Sequence, residues 1–262
     1  MTAATGVRVP VLMYHEIAER WETSSRLAVS PTRFAAQLGY LRSAGFTAIT
    51  AAELSAALAA GSGRLPARPV VLTFDDGYAD FHRRAMPLLD AHGFTATLFV
   101  TTGWEQDADM RRADPGRMLN QTQLAEAAAA GIEIGAHTRT HPQLDRLPEQ
   151  LVRDELCASK QWLESKLGLP VHGLAYPFGY SSDLVRDVAR ESGYGYAHAV
   201  DNRTACSDAD GFAVPRLTVR RATTLPEFIR LVHGQTTVRL LEDRALTGAW
   251  SVVRQVRAAC CG

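Results

Sequence analysis

Two clusters of polar side chains follow apolar segments of this chain and could do chemistry together. Asp75 and Asp76 come directly after the apolar run 70–74, and His137 and His141 follow the apolar run 132–136. Adjacent carboxylates at the end of a buried strand are costly unless they are paired or bind a metal. Histidines four residues apart on one turn face the same way and can converge on one ion. A turn that caps the following helix is the alternative for the Asp-Asp-Gly sequence.

Two histidines and one carboxylate form a three-ligand set of the kind that catalytic zinc sites use, because positions stay open for water and substrate. A divalent ion lowers the pKa of its water toward about 7 and polarises a carbonyl oxygen. The second aspartate would then remain off the metal and accept a proton. The same ligand set also suits the Fe(II) of a non-heme oxygenase. Against that alternative, a second acid lies beside the candidate ligand.

Short apolar runs alternate with longer helical patterns along the whole chain. The pattern predicts strands at 9–14, 47–50, 70–74, 95–100, 132–136, 173–176, 195–200 and 217–219, and helices at 31–44, 51–60, 78–92, 121–130, 148–167, 182–192 and 225–232. About eight β-then-α units predict an α/β fold with a parallel sheet, a single-domain distorted (β/α)7-8 barrel across residues 1–262 in preference to an open sheet. Functional groups belong at the carboxyl ends of its strands, where both polar clusters lie.

Composition excludes several other classes of protein. The chain has 262 residues, 28 basic and 28 acidic side chains, and four cysteines. A balanced charge gives no field that would attract nucleic acid or an anionic membrane, and the cysteines are too few for a disulfide framework. No apolar run approaches the ~20 residues that span a bilayer, and the first residues lack a signal-peptide pattern. We expect a cytoplasmic protein with no nucleic-acid or membrane partner, and the oligomeric state stays open.

Three short motifs resemble a known family. TFDDG at 73–77, HTRTH at 137–141 and YPFG at 176–179 resemble the first three motifs of the polysaccharide deacetylase (NodB-homology) family of carbohydrate esterases, and the likeness spans about residues 8–233. The resemblance implies a distorted (β/α) barrel that removes N-acetyl groups from an amino sugar, oligosaccharide, glycoconjugate or small N-acetylated metabolite.

The resemblance also implies roles for individual residues. Asp75 would be the general base, and one divalent ion, zinc with cobalt or nickel as substitutes, would bind to Asp76, His137 and His141. The acetyl pocket would be lined by Tyr176, Pro177, Phe178 and Gly179, with the backbone of 176–178 helping to hold the oxyanion.

The chain departs from the family pattern where a proton donor and a partner for the base are expected. Ala175 replaces the arginine of the third motif, and no Asp lies three residues before a Trp. The fifth motif has a match that ends at His233, but inside a helical pattern. His15, after the first predicted strand, is therefore the preferred catalytic acid. A Tyr-His pair at this position resembles the subgroup of biofilm poly-N-acetylglucosamine deacetylases, which also lacks that arginine.

Three further features have open roles. Arg216 could support the site or simply pair with an acid, and Trp104 could stack on a sugar ring. Residues 234–262 have apolar positions at helical spacing and predict a C-terminal helix packed on the barrel. Because the arginine and a clear acid are missing, a degenerate member that binds glycan without turnover is the non-enzymatic alternative.

Overall fold

The computed structural model describes residues 8–61, 65–106, 118–235 and 241. Its centre is a parallel sheet with the strand order β10-β2-β4-β5-β6-β7-β8, and β3 pairs with β4 beside this path. The strands are β1 (Arg8–Val9), β2 (Val11–Tyr14), β3 (Thr47–Ile49), β4 (Pro69–Phe74), β5 (Thr97–Val100), β6 (Glu133–Ala136), β7 (Gly173–Ala175), β8 (Tyr196–His198), β9 (Ala205–Cys206) and β10 (Leu217–Thr218).

The sheet curls into the expected barrel, which confirms the predicted fold class. In-register parallel pairing of Val11 with Val71 and of Leu217 with Leu12 joins β4, β2 and β10. The two ends of the sheet meet at a parallel bridge between His198 and Val214. Besides this bridge, the Asn202 N–H donates to the Arg216 carbonyl at 3.0 Å. In the described part of the chain β8 and β10 form no ladder with each other, and β3 stands beside the path, so the barrel is distorted.

Helices surround the strands and begin at side chains that cap their free N–H groups. The helices are α1 (Pro31–Ser43), α2 (Ala51–Ala59), α3 (Met86–His92), α4 (Thr102–Gln106), α5 (Gln121–Ala129), α6 (Glu149–Leu167), α7 (Asp183–Glu191) and α8 (Leu225–Val232). Ser30, Thr50 and Thr224 each accept a hydrogen bond from the third residue of the helix that follows. The longest helix, α6, ends at Gly168, whose φ of 65° suits a residue without Cβ.

Alternation along β4 divides the core into two layers. Val70, Leu72 and Phe74 pack outward against the helices, whereas Val71 joins a smaller cluster inside the barrel that includes Phe99. Both faces of the strand are therefore buried, as in a closed parallel sheet. Because β4 ends at Phe74, the next residues, Asp75 and Asp76, lie at the rim of the barrel.

Two elements differ from the sequence predictions, and one prediction falls outside the described residues. The predicted helix 78–92 begins as one π-helical turn, Phe81–Ala85, because the N–H of Met86 bonds to the Phe81 carbonyl and the next residue, Pro87, has no N–H to donate. The antiparallel pair of β1 and β9 was not predicted. The predicted C-terminal helix 234–262 lies outside the described residues except for 234, 235 and 241. No helix in the described part of the chain is long and apolar enough to cross a membrane.

Candidate active site

A cavity of about 450 Å³ opens at the carboxyl ends of the strands, and we call it the catalytic cleft. Residues from the ends of β2, β4, β6, β7 and β10 reach it, including His15, Asp75, His137, Tyr176 and Arg216. A larger cavity of about 580 Å³, beside Arg8 and Cys206, brings no comparable set together. The catalytic cleft is therefore the place where the chemistry-bearing residues predicted from sequence meet.

Asp76, His137 and His141 offer ligand atoms that all lie within 4.8 Å of one another. The Asp76 Oδ1 atom is 3.6 Å from His137 Nε2 and 3.5 Å from His141 Nε2. These separations are too long for good hydrogen bonds, and Asp76 Oδ1 is buried without a hydrogen-bond partner. A buried, unpartnered carboxylate oxygen facing two imidazole nitrogens is the donor set that a divalent cation satisfies.

Strained backbone places these ligands. Asp76, Thr138, His141 and Phe178, all at the cleft, have positive φ angles of 77°, 66°, 62° and 61°. Such conformations cost about 1–3 kcal/mol for residues with a Cβ and persist where the surroundings enforce them. Gly77, with φ of 89°, extends the turn that sends the chain away after Asp76. The Asp-Asp-Gly segment is thus a turn at a strand end, and the turn itself presents both carboxylates to the cleft.

The two histidines present lone pairs to Asp76. His137 Nδ1 lies 2.7 Å from the Ala175 carbonyl, so Nδ1 carries the proton and Nε2 is left as an acceptor toward the cleft. Burial lowers the pKa of His137 to about 3 and also lowers that of His141. Burial, and next the charge of Asp75, raise the pKa of Asp76 to about 8. The two imidazoles are neutral, and burial makes the ionised form of Asp76 unfavourable without a positive partner. A bound cation would supply that positive charge.

Asp75 is held by a different residue, Arg216. The guanidinium donates Nη1–H to Asp75 Oδ1 at 2.6 Å and Nη2–H to Oδ2 at 2.8 Å, and both side chains are buried. Burial alone would raise the pKa of Asp75, but the charge of Arg216 and the nearby imidazoles hold it well below its usual value. Arg216 therefore supplies Asp75 with a cationic partner in a chain that has Ala175 in place of the third-motif arginine. The sequence left two roles open for Arg216, pairing with an acid and supporting the site. Its contact with Asp75 does both, because the acid that it pairs with lies in the site.

His15 and His233 lie in different places. His15 lines the catalytic cleft, and its Nδ1 atom is buried without a hydrogen-bond partner. Burial lowers the pKa of His15 to about 4, while the charge of Asp75 acts in the opposite direction. His233 instead lies 2.7 Å from the Tyr40 hydroxyl and beside another cavity, with Arg8 and Pro10. The structure thus leaves His15, and not His233, beside the candidate metal ligands.

The segment 176–179 forms one wall of the cleft. Tyr176 is buried, its hydroxyl donates to the Phe212 carbonyl, and its N–H donates to the His198 carbonyl. Pro177 has no N–H, and the Gly179 N–H donates back to the Tyr176 carbonyl at 2.8 Å. The Tyr176 N–H is therefore already used, and the N–H of Phe178 is the candidate donor to an oxyanion. A Cβ on Gly179 would lie 2.4 Å from Val200 Cβ, so the wall needs glycine there.

Aromatic rings surround the exposed side of His141. Its ring centroid is 5.2 Å from Trp104 and 4.8 Å from Phe178, and Phe178 is 51% exposed and stacks on Tyr180. A flat, half-exposed aromatic surface of this kind suits the apolar face of a sugar ring. Of the two residues predicted to bind substrate here, Phe178 lines the catalytic cleft, whereas Trp104 contacts it only through His141. Their binding of a saccharide stays a prediction.

Sequence reasoning missed two residues near the site. Glu155 on α6 accepts hydrogen bonds from the N–H of Arg139 and from the N–H and hydroxyl of Thr140, and so holds the loop between the two metal-site histidines. No sequence signal marks it, because it lies in an ordinary amphipathic helix. His198 is buried at the end of β8 with both ring nitrogens unpartnered. The strand-end rule that identified His15 did not find it, because the predicted strand 195–200 placed His198 inside the strand.

Known proteins are similar to this chain in sequence. The family model for polysaccharide deacetylases matches residues 62–197, about half of the chain. YxkH of Bacillus subtilis, named for the same family, is 28% identical over 213 residues, 81% of this chain and 71% of the relative. A poly-β-1,6-N-acetyl-D-glucosamine N-deacetylase of Staphylococcus aureus is 23% identical over 73% of this chain and 68% of its own length.

Solved structures share the fold. The Streptococcus pyogenes deacetylase PplD, in complex with acetate, superposes with a TM-score of 0.77 at 25% identity and covers 87% of this chain and 99% of its own. The resemblance predicted from the three motifs is thereby confirmed. The chain belongs to the polysaccharide deacetylase family.

Proposed function

We propose that this protein is a metal-dependent hydrolase that removes N-acetyl groups from an amino sugar, and of the substrates that the sequence left open we favour a saccharide over a small N-acetylated metabolite, because the family acts on polysaccharides. The observation that carries the proposal is the arrangement of two neighbouring carboxylates with opposite environments. Asp76 faces two imidazoles and has an unpartnered oxygen, while Asp75 is paired with Arg216. One carboxylate is thus built to bind a cation, and the other is kept ionised beside it.

Asp76, His137 and His141 would hold the ion, for which zinc is the first choice and cobalt or nickel are alternatives. A divalent cation bound by these residues would supply an acidified water and polarisation of the acetamide carbonyl. The fit rests on the chain itself: the Ala175 carbonyl orients His137, and the positive-φ backbone holds Asp76 and His141. The protein contributes preorganisation, because the three ligands need no rearrangement to face one another.

Asp75 serves as the general base. It needs to be ionised at neutral pH and oriented, and the two hydrogen bonds from Arg216 accomplish both. The Thr73 hydroxyl, 3.2 Å from the same guanidinium, and the Ala199 carbonyl fix Arg216 in turn. Asp75 takes one proton from the attacking water as the new carbon–oxygen bond forms. Base catalysis of this type contributes about 10²–10⁴-fold.

The remaining requirements are an oxyanion donor and a proton for the departing nitrogen. The Phe178 N–H is the free amide of the 176–179 wall, and a backbone donor of this kind stabilises negative charge on the former carbonyl oxygen. His15 donates to the nitrogen as the carbon–nitrogen bond breaks, since it lines the same cleft with a buried, unpartnered Nδ1. Because burial keeps its imidazole neutral at neutral pH, His15 must first take up a proton from solvent, and the charge of Asp75 favours this protonated form. The products are acetate and a free amine.

The experiment is acetate release from β-1,6- and β-1,4-linked N-acetylglucosamine oligomers by wild type and by Asp75→Asn, with metal content measured on the same samples. Asn is nearly isosteric with Asp but cannot accept the proton. We expect activity from wild type, a fall of at least about 10²-fold in kcat for Asp75→Asn, and unchanged metal content. Equal turnover by the two proteins would remove Asp75 from the mechanism.

The same assay separates the alternatives. Saccharide binding without acetate release from any oligomer would favour a degenerate binding protein. Bound iron with oxygen-dependent turnover would favour the oxygenase chemistry that the ligand set also permits.

A further inference from the structure

A second cavity, of about 470 Å³, lies next to the catalytic cleft, and we call it the arginine cavity. Its wall includes Arg20, Arg33 and Arg221, with Ser30 and a single acidic residue, Glu19. The chain as a whole is neutral, with 28 basic and 28 acidic side chains. Three arginines against one glutamate in a concave site is therefore a local accumulation of positive charge.

Two of the three arginines are tethered by hydrogen bonds to backbone carbonyls, which leave the guanidinium charge uncompensated. Arg33 donates through Nη1 to the carbonyl of Arg221, and Arg221 donates through Nη2 to the Thr23 carbonyl at 2.7 Å. Within residues 8–61, 65–106 and 118–235, none of the three cavity arginines forms an ion pair with a carboxylate, whereas Arg84 does. Like charges fixed together around a concave space favour an anion there, and guanidinium groups match carboxylate and phosphate oxygens in pairs.

Residues that are neighbours in the chain line the arginine cavity and the catalytic cleft, so the same two segments separate the two cavities. Leu27 lines the cleft and the next residue, Ala28, lines the arginine cavity. After the end of β10, Arg220 likewise lines the cleft and Arg221 lines the arginine cavity. Both wall segments follow the carboxyl ends of β2 and β10, which are adjacent parallel strands. A saccharide chain that extends from the cleft over this wall reaches the arginine cavity.

Trp21 is an exposed apolar residue in the same loop. It follows Arg20, which lines the arginine cavity, in the loop that leads from β2 to α1, and its side chain is 82% exposed. A large exposed aromatic residue next to a charged concave site is typical of a surface that binds an amphipathic ligand. Sugars carrying an anionic group have both properties.

We propose that the arginine cavity is an anion subsite, which binds a carboxylate or phosphate group carried by the N-acetylated saccharide while an acetamido group lies in the catalytic cleft. This inference rests on the proposed deacetylase function. It identifies the substrate class as an acidic or phosphorylated N-acetylated glycan. An anionic membrane surface is the other source of such groups, but the charge here lines a cavity, whereas a surface-binding face has to be convex or flat.

The test uses N-acetylglucosamine tetramers that differ in one added group: none, a lactyl ether that carries a carboxylate, or a 6-phosphate. Each is assayed with wild type, with the Arg20→Gln/Arg33→Gln double variant, and with Arg26→Gln. Arg26 is an exposed arginine of the same loop that does not line the cavity, so it controls for loss of one charge. The carboxylate and phosphate arms show which anion the subsite prefers.

We expect KM for at least one anionic tetramer to be about tenfold below KM for the neutral tetramer, with kcat unchanged. The double variant should lose this preference, since an exposed charge pair contributes up to about fivefold for each arginine, and Arg26→Gln should keep it. High salt should weaken the preference in wild type. Equal KM values for the three tetramers in wild type, or an unaltered preference in the double variant, would overturn the proposal.

A binding measurement separates failure of this proposal from failure of the proposed function. Isothermal titration of the same tetramers into Asp75→Asn gives a ratio of Kd values that does not depend on turnover. No acetate release by wild type, together with tighter binding of the anionic tetramers, would remove the deacetylase function and keep the subsite. Binding of wild type to phosphatidylglycerol vesicles that is lost in the double variant, with no difference among the tetramers, would assign the arginines to a membrane surface instead.

Discussion

The contact between Arg216 and Asp75 makes the sharpest stability prediction. Both side chains are buried, with exposures of 0% and 2%, and two hydrogen bonds of 2.6 and 2.8 Å join them. Replacing Arg216 by Met keeps most of the volume but leaves the Asp75 carboxylate buried without its cationic partner. Breaking one side of a buried ion pair costs about 3–5 kcal/mol. Arg216→Met should therefore lower the free energy of unfolding by this amount, or Tm by about 10 °C.

The assay is urea unfolding followed by circular dichroism at pH 7, with EDTA present so that metal binding makes no contribution. Three variants complete the cycle: Arg216→Met, Asp75→Asn and the double variant. The double variant should recover most of the stability lost in Arg216→Met, because it also removes the uncompensated charge. A cost below about 1 kcal/mol for Arg216→Met, or a double variant no more stable than Arg216→Met, would refute the reasoning that Asp75 depends on this partner.

Three further predictions follow from the site and its surroundings. Asp76→Asn should abolish retention of the metal after dialysis while Asp75→Asn keeps it, as measured by elemental analysis; equal retention would contradict the ligand assignment. Glu155→Gln should weaken metal affinity about 10–100-fold in a chelator competition, as for other residues that orient ligands, whereas Glu149→Gln on the same helix should not; parallel behaviour of the two would exclude the loop-holding role. Burial raises the pKa of Asp80 to about 6, above the unfolded value of about 3.9, so its ionisation lowers stability as pH rises from about 4 to 6. Asp80→Asn should thus gain up to about 3 kcal/mol on wild type between pH 4 and pH 7.5, and a pH-independent difference in unfolding free energy would contradict this.

The sequence by itself determined the alternation of strands and helices and indicated the candidate metal ligands. Strands such as β4 are continuously apolar because both their faces are buried, and this local pattern is legible without a structure. Asp76, His137 and His141 could be found because each follows a strand end, and the parallel topology brings strand ends to one face. The sequence also showed which family residue is missing, since Ala175 occupies the position of the third-motif arginine.

Only the tertiary structure decided which residues complete the site. Arg216 lies 141 positions from Asp75 in the chain, and no periodicity or spacing marks a contact of that range; barrel closure brings β10 beside β2 and so creates it. The same holds for Glu155, whose helix packs next to the loop that it stabilises, and for the arginine cavity, where two distant loops meet. The sequence favoured His15 over His233, and the structure places them in different cavities, because one follows the carboxyl end of a strand and the other the end of a helix. Local patterns depend on neighbours in the chain, whereas partners across the fold depend on how the elements pack.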